Sequence, residues 1–236
     1  SEHSDQLFRY KVSTKDWCTK NNFEEAVYIY LKTFSQSQAD IKFIQSKGYS
    51  IVERSDLINF FSAYEIENHI LSDYLCYLIA NQEKENSYQK LKIKEWTSDS
   101  WIGFYKFLES QLKIVDWQYV PNQNGGFVGI WWHFNQWRGF DVYLQIEQGN
   151  LCFKIGNVSE NHGQIRNKWF EVVNSEAKSK GLAEIVKPSR FGAGSCMTVA
   201  VVDPNSWLGP DEAVIDPMDV VEKLRKYEQF LMDCLK

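Results

Sequence analysis

Gln6 and Tyr10 are the first residues of the chain whose types and spacing suggest chemistry. An amide and a phenolic hydroxyl both form hydrogen bonds, and residues four apart project from one face of a helix. The apolar periodicity of residues 4 to 18 predicts such a helix. The same pair is equally well explained by an exposed glutamine and a tyrosine that packs on a strand, with no function. Both interpretations remain open at this stage.

Two adjacent tryptophans, Trp131 and Trp132, lie in an apolar run with the period of a strand. Because side chains alternate across a strand, one indole is expected on each face of the sheet. Aromatic rings beside cations can stack nucleic-acid bases, and Lys154, Arg166 and Lys168 could supply the cations. The alternative is that one indole fills the core beneath a helix while the other covers an edge.

Two carboxylates, Asp141 and Glu147, lie six residues apart on one predicted strand and therefore on the same face. They could act as a pair, although a solvated strand face also explains them. Other catalytic patterns are absent from the sequence: it has no P-loop, no dinucleotide-binding glycine motif and no nucleophile elbow. The Gly192–Ser195 stretch falls between predicted strands, which favours a tight turn over a phosphate-binding loop.

The opening stretch Asp5-Gln6-Leu7-Phe8-Arg9-Tyr10 resembles the Gln-x-x-x-Tyr motif of one branch of the PD-(D/E)XK nuclease superfamily. In that branch the motif lies on the helix that follows the catalytic strand, and Val27–Leu31 lies where such a core has its next strand. The Gly-Tyr-Ser stretch at 48–50 and Leu-Cys-Phe-Lys at 151–154 are also similar to a bacterial branch of the superfamily. The resemblance implies that the chain is the C-terminal portion of a nuclease-like protein and begins with a remnant of the nuclease core.

The resemblance implies Mg²⁺-dependent hydrolysis of a nucleic-acid phosphodiester by the intact protein. An Asp and a Glu or second Asp would hold the metal, and a Lys two residues after the second acid would orient the attacking water. Gln6 and Tyr10 would be auxiliary, forming hydrogen bonds to the substrate backbone or to that lysine. Nucleic-acid contacts would then come from a set of cations: Arg9, Lys11, Lys154, Arg166 and Lys168.

The chain departs from the family pattern at its start, because the acids and the acid-x-Lys pair should precede Gln6. Two acid-x-Lys pairs occur later, at 40–42 and 176–178, but neither lies on a strand followed by the Gln helix. We therefore expect this chain by itself to bind no Mg²⁺ and to cleave nothing. It is expected to act as a hydrolase only if the catalytic acids lie upstream.

Composition limits the classes of partner. The net charge of −5 argues against duplex binding over most of the surface, so any nucleic-acid contact requires a local patch. Residues 166–190 hold six cations and three acids, whereas residues 203–219 hold five acids and no Lys or Arg. The charges of these two segments are also explained by two solvated faces.

Five cysteines without a C-x-x-C pair argue against a disulfide framework or a zinc site, and the four histidines have no ligand spacing. We therefore expect reduced thiols in a cytoplasmic protein. No run of about 18 apolar residues occurs, so no membrane partner is expected.

The order of predicted elements indicates an α+β protein. Strands are predicted at 26–34 and 47–54, with Ser55-Asp56 capping a helix, and further helices at 69–82 and 97–113. Near residue 114 the apolar period changes from 3.6 to 2, and four strands follow with short turns, which predicts an antiparallel meander. A helix at about 161–180, two more strands and a helix at 217–235 complete the chain.

The change of period suggests two regions, a mainly helical one at 1–113 with the nuclease-core remnant, and an antiparallel α+β region at 114–236. The second function hypothesis belongs to the latter region. It is a non-catalytic module that binds a protein or a ligand through an aromatic face of the sheet.

Overall fold

The computed structural model describes residues 3–65, 67–122 and 125–236. About 49% of the chain is helix and 21% is strand, and a six-stranded antiparallel sheet packs against helices, which confirms the α+β prediction. The chain divides into two compact units, one ending at Gln82 and the other comprising Glu83–Lys236. Among the described residues, none of the helices combines the length and the apolar character needed to cross a membrane.

The first unit contains a pair of parallel strands among helices. Its elements are α1 (His3–Lys20), β1 (Ile29–Lys32), α2 (Gln38–Ser46), β2 (Ser50–Glu53), α3 (Arg54–Ser62) and most of α4 (His69–Asn86). β1 and β2 pair in parallel, with Ile29 opposite Ser50. A small core of Leu7, Ile44 and Tyr49 joins α1 and α2 to this pair, and the Tyr49 hydroxyl donates to the Leu7 carbonyl at 2.8 Å.

Both strands of the first unit are shorter than the sequence predicted. β2 begins only at Ser50, because α2 ends with a turn at Lys47 and Gly48, where Gly48 has a φ of +79°. The sequence also predicted that Ser55 and Asp56 cap the following helix, whereas the cap lies earlier in the chain. α3 begins at Arg54 with Glu53 as its N-cap, and the Asp56 carboxylate accepts from the Glu53 backbone N–H at 2.9 Å.

The second unit contains the large sheet. Its elements, after two short 3₁₀ helices at Ser87–Gln89 and Ile93–Glu95, are α5 (Ser98–Gln111), β3 (Ile114–Val120), β4 (Phe127–Trp137), β5 (Phe140–Glu147), β6 (Asn150–Gly156), α6 (His162–Lys180), β7 (Ile185–Val186), β8 (Met197–Val202), α7 (Pro204–Trp207) and α8 (Pro217–Asp233). The strand order is β3-β4-β5-β6-β8-β7, with every neighbouring pair antiparallel. The predicted meander of four successive strands is confirmed.

One face of this sheet carries the core. Alternate residues of β5 and β6 are fully buried there: Val142, Leu144, Ile146, Leu151, Phe153 and Ile155. Buried side chains of α5, α6 and α8 belong to the same cluster, among them Phe104, Trp169 and Leu231. The helices therefore cover the core face, and we call the opposite face the open face.

The unit boundary lies at Gln82 and Glu83 rather than near residue 114, because α5 packs with the sheet that follows it. The Tyr105 hydroxyl donates to the Val128 carbonyl of β4 at 3.1 Å, so α5 is fixed to the sheet. Gly103 of α5 also lies so close to the chain before it that an added Cβ would be 1.9 Å from the Glu85 carbonyl oxygen. The change of period marks a change of secondary structure inside one unit.

Several element ends agree with the sequence prediction. Thr97 precedes α5 as its N-cap, and α6 ends before Gly181, which has a φ of +69°. Trp137, predicted in a turn, is instead the last residue of β4, and Arg138 and Gly139 form the turn. Gln123 and Asn124 of the predicted turn at 122–126 lie outside the described residues.

Candidate functional site

The open face of the second unit carries a cavity of about 650 Å³. Its walls combine aromatic rings with polar and charged groups. The aromatic residues are Phe127, Trp131, Phe134 and Tyr143, and the main polar ones are Asp141, Gln145, Glu147, Lys154, Asn157, Arg190 and Thr198. All of them belong to the second unit.

Strand alternation places the aromatic wall. In β4, Ile130 and Trp132 are fully buried on the core face, whereas Phe127 and Trp131 line the cavity. Gly129 lies between those two rings on the open face, and a Cβ there would be 3.0 Å from the Phe127 ring and 3.6 Å from the Trp131 ring. The glycine therefore allows both rings to lie over the backbone of β4.

A β-bulge in β4 places the ring of Phe134. The register of β4 against β5 shifts between Trp132 and Asn135, and His133 within the bulge has a φ of +57°. Regular alternation would have put Phe134 on the core face with Trp132. The extra residue turns it to the open face, where its ring stacks on Tyr143 at 4.3 Å with an interplanar angle of 8°.

The floor of the cavity is a charged hydrogen-bonded group. Glu147 Oε1 accepts from Lys154 Nζ at 2.8 Å and from Gln145 Nε2 at 3.0 Å. Lys154 Nζ also donates to Thr198 Oγ1 at 3.0 Å. The Lys154 side chain is only 10% exposed and that of Glu147 25%, so each charge stabilises the other in a largely desolvated place.

The second carboxylate has separate partners. Asp141 accepts from the side-chain amides of Gln136 and Asn157. Asp141 and Glu147 thus share the cavity, as their spacing suggested, but no hydrogen bond joins them. They therefore do not share a proton as the two carboxylates of an aspartic protease do.

Two other groups on this face remain neutral near pH 7. Burial raises the pKa of the Tyr143 hydroxyl above its ordinary value, and Cys196 nearby adds to the shift. Burial raises the pKa of the Cys152 thiol to about 12. The Glu147–Lys154 pair therefore provides the charge in the centre of the face.

One rim of the cavity is basic. Arg190 lines the cavity and is exposed. Beside it, Arg166 lies 4.2 Å and Lys187 4.7 Å over the Phe191 ring, and Arg166 donates to the Gly192 carbonyl. We call Arg166, Lys187 and Arg190 the basic rim; Arg190 lines this cavity, Arg166 contacts it through Gly192, and Lys187 lines a separate cavity. Within the described part of the chain, none of the three forms a salt bridge.

The predicted nucleic-acid-binding cations do not converge on one place. Lys154 lies in the cavity floor and Arg166 at the basic rim, whereas Lys168 lines a different cavity with Trp137 and Arg138. The two tryptophans divide as the alternation predicted. Trp132 fills the core and donates from Nε1 to Glu228 at 2.8 Å, and Trp131 faces the cavity.

In the first unit, Gln6 Nε2 donates to the Tyr10 hydroxyl at 2.7 Å, and both side chains are exposed on α1. Arg9 is exposed and its Nε donates to the Asp5 carbonyl at 3.4 Å. Lys11 is engaged within the fold, because its Nζ donates to the Lys47 carbonyl at 2.8 Å and lies 4.9 Å over the Tyr28 ring.

No group of three or more His, Cys, Asp or Glu side chains that could hold a metal ion occurs in residues 3–65, 67–122 and 125–236. The described residues around Gln6 and Tyr10 thus do not fit the Mg²⁺ that the nuclease resemblance implies, and no step through the metal follows from them. All five cysteines are free thiols.

Sequence reasoning missed several residues of the cavity. Tyr143 and Gln145 lie between Asp141 and Glu147 at alternate positions, so the same period that grouped the carboxylates could have found them. Thr198 and Arg190 carried no such signal, because pairing of β8 with β6 and the path of the preceding loop bring them to the cavity.

Comparison of the chain with protein-family models, with curated proteins and with solved structures finds no match.

Proposed function

We propose that the second unit is a non-catalytic binding module that takes a nucleotide, free or unpaired within a polynucleotide, into the cavity of the open face. One observation carries the proposal: a stacking surface lies directly beside a charge-compensated polar floor, with the Arg190 cation in the wall of the same cavity. A base needs the first two features, and its phosphate needs the third.

The stacking surface is the indole of Trp131 together with Phe127. Every base has a π face, and base–aromatic stacking contributes about 1–3 kcal/mol per base. Trp131 lies opposite Gln145 in the register of β4 and β5, so a base on the indole would have its edge near the polar floor. Purely apolar ligands fit less well, because they would desolvate Glu147 and Lys154 further without providing hydrogen bonds.

The basic rim supports the phosphate part of the proposal. Arg190 has no hydrogen-bond partner among the described residues, so its guanidinium can donate two parallel hydrogen bonds to a phosphate. The Arg166 and Lys187 cations lie over Phe191 in the same loop region. These cations would supply the local patch that nucleic-acid contact requires in a chain with a net charge of −5.

Titration of the purified chain with mononucleotides and with a labelled single-stranded oligonucleotide, followed by fluorescence anisotropy and calorimetry over a salt series, tests the proposal. Trp131→Ala should weaken binding about 5- to 150-fold, the equivalent of one stacked base. Arg190→Ala should weaken binding and reduce the salt slope by about one contact. Lys226→Ala on the exposed side of α8 is the matched control and should change neither value. Binding that is absent, or equally strong in the Trp131→Ala and Arg190→Ala variants, contradicts the proposal.

A second function is favoured by the first unit. The Gln6–Tyr10 hydrogen bond holds both groups on an exposed face of α1, and the next element is a strand in a parallel pair. These features support the proposal that the chain is the C-terminal portion of a Mg²⁺-dependent PD-(D/E)XK nuclease-like protein. The free thiols support a cytoplasmic location for it.

The coding sequence upstream of Ser1 tests this second function directly. We expect it to encode an Asp and then a strand that ends in Glu-x-Lys. The longer protein should then cleave nucleic acid only with Mg²⁺, and Gln6→Ala and Tyr10→Phe should slow cleavage. An upstream sequence without those acids removes the nuclease proposal and leaves the binding module intact.

A further inference from the structure

We infer that the open face binds two or more successive unpaired nucleotides of one single-stranded polynucleotide, an inference that rests on the proposed function. The cavity has two separate stacking surfaces, and a free nucleotide would use only one of them. The positions of these surfaces are set by the register of β4 against β5.

The first stacking surface is formed by Phe127 and Trp131, which we call the first platform. Both rings lie over Gly129, where an added Cβ would be 3.0 Å from the Phe127 ring and 3.6 Å from the Trp131 ring. Gly129 is opposite Glu147 and Trp131 is opposite Gln145 in the sheet. The first platform therefore lies toward the end of β5 that contains Glu147.

The second stacking surface is Phe134 on Tyr143, which we call the second platform. The two rings are stacked with their centroids 4.3 Å apart. Tyr143 is 7% exposed, whereas Phe134 is 42% exposed. Because Tyr143 covers one face of the Phe134 ring, the exposed part of this ring includes its other face. A base can stack there as a third layer on the two rings.

The register of the two strands gives the distance between the platforms. Trp131 is opposite Gln145, and Tyr143 lies two residues farther along β5 on the same face. At about 3.4 Å per residue, the two positions are roughly 7 Å apart along the strand. The Trp131 ring extends toward Gly129, on the side away from Tyr143, which widens this separation.

This separation fits unpaired bases better than a duplex. Successive nucleotides of a duplex strand rise only about 3.4 Å, and their bases are stacked on one another. Bases that are roughly 7 Å apart are unstacked from each other, so each can place a face on its own platform. Aromatic side chains on the sheets of some single-strand-binding domains receive two or three bases in this manner.

The loop that carries the basic rim reaches the cavity near the second platform. This loop precedes β8, contains Arg190, and ends against β6, where the Ser195 carbonyl accepts from the Val158 N–H at 3.1 Å. At the last residue of β6, Gly156, an added Cβ would be 3.4 Å from the second platform and 3.5 Å from Cys196 Sγ. A phosphate at this loop therefore suits the nucleotide on the second platform better than the one on the first.

Titration of the wild-type protein with oligothymidylates and oligouridylates of one to about six nucleotides measures how many bases are bound. The affinity should rise about 5- to 150-fold when a base reaches the second platform, as for one further stacked base, and should then level off. A rise in either series supports the inference, and comparison of the two series shows which sugar is preferred. A longer oligothymidylate should lose this affinity when it is annealed to its complement.

Abasic oligonucleotides separate stacking from charge. An oligothymidylate that keeps one base and loses the others retains every phosphate, so its electrostatic attraction to the protein is unchanged. It should bind about 5- to 150-fold more weakly than the intact oligonucleotide, because only one platform is then occupied. Equal affinities would mean that the rise with length comes from phosphates alone, and they would overturn the inference.

Substitutions of Phe134 test the second platform itself. Phe134→Ala should remove most of the rise in affinity with length, whereas Phe134→Tyr, which keeps an aromatic face, should retain it. Met218→Ala on α8 is the matched control, because Met218 is similarly exposed at 47% and does not line the cavity. Melting temperatures show whether each variant is folded, and the abasic comparison needs no variant.

The remaining outcomes separate this inference from the proposed function. Equal affinity for every length, with Trp131→Ala impaired, overturns the inference and keeps a binding module for a single nucleotide. Absence of binding by every nucleotide and oligonucleotide overturns both.

Discussion

Trp131 and Trp132 are neighbours in β4, yet they lie on opposite faces of one sheet. Trp132 is fully buried among apolar side chains of the strands and helices. Trp131 faces a cavity whose floor is an ion pair and whose rim is basic. One set of strands thus presents two chemically different faces, because each successive residue turns to the other face.

The two faces are stabilised by different interactions. On the core face, burial of apolar surface dominates, and the indole N–H of Trp132 has its partner in Glu228. On the open face the central polar groups are bonded to one another, with Glu147 accepting from Lys154 and Gln145 and Lys154 also donating to Thr198. The open face therefore depends on an ion pair and hydrogen bonds in a place where apolar side chains could contribute more to stability.

The largest expected effect separates the two tryptophans. Trp132→Ala should lower the free energy of unfolding by about 3–5 kcal/mol, because it leaves a large cavity and removes the partner of Glu228. Trp131→Ala should cost less than half of that, since its ring is only partly buried. Urea denaturation of both variants measures the difference. Equal losses would mean that the two indoles contribute equally to the core, so the two faces would not differ in this way.

A smaller effect is expected from the floor of the cavity. Lys154→Met should destabilise the protein by about 1–3 kcal/mol, because Glu147 keeps its charge in a largely desolvated place without its cation. The loss is below that of a fully buried pair, since Glu147 is 25% exposed. The double variant Lys154→Met with Glu147→Leu should recover most of it, as a double-mutant cycle in urea would show. Additive losses would indicate that the pair is not coupled.

The reactivities of two thiols on the open face, Cys196 and Cys152, should differ because one is exposed and the other is buried. At pH 8, Cys196 should react with iodoacetamide at least about tenfold faster than Cys152, whose pKa of about 12 reflects its burial. Peptide mass spectrometry after timed quenching measures both rates. Similar rates would indicate that the centre of the sheet opens readily to solvent.

The smallest expected effect concerns Asp233, the last residue of α8. Lys180, Lys236 and Gln229 hold the pKa of the Asp233 carboxyl well below its usual range. A carboxyl with a lowered folded-state pKa stabilises the fold above its unfolded pKa of about 4, and this stabilisation is lost as the pH falls through the folded-state pKa.

Asp233→Asn should therefore lower the melting temperature slightly at pH 7, because its partners Lys180 and Lys236 are 39% and 76% exposed and ion pairs with exposed cations contribute little. The difference from wild type should shrink as the pH falls below about 4. Lys226→Ala, on the same helix without an ion pair, provides the control. A difference that grows toward acid pH would contradict the sign of this linkage.

The sequence by itself determined the local elements. Alternation over 114–158 predicted the meander, and capping residues such as Thr97 and the glycine at 181 predicted helix ends, because these signals depend on neighbours within a few residues. Alternation also sent Trp131 and Trp132 to opposite faces, and it put Asp141 and Glu147 on one face. It did not show which face the helices would cover.

Only the tertiary structure decided where the unit boundary lies and what the open face contains. α5 joins the second unit through long-range packing, which no local period reports. The bulge at His133 turns Phe134 onto Tyr143, and strand pairing brings Lys154 to Glu147 and Thr198 across sequence separations of seven and 44 residues. Such contacts depend on register and chain path, and these are fixed only when the whole core forms.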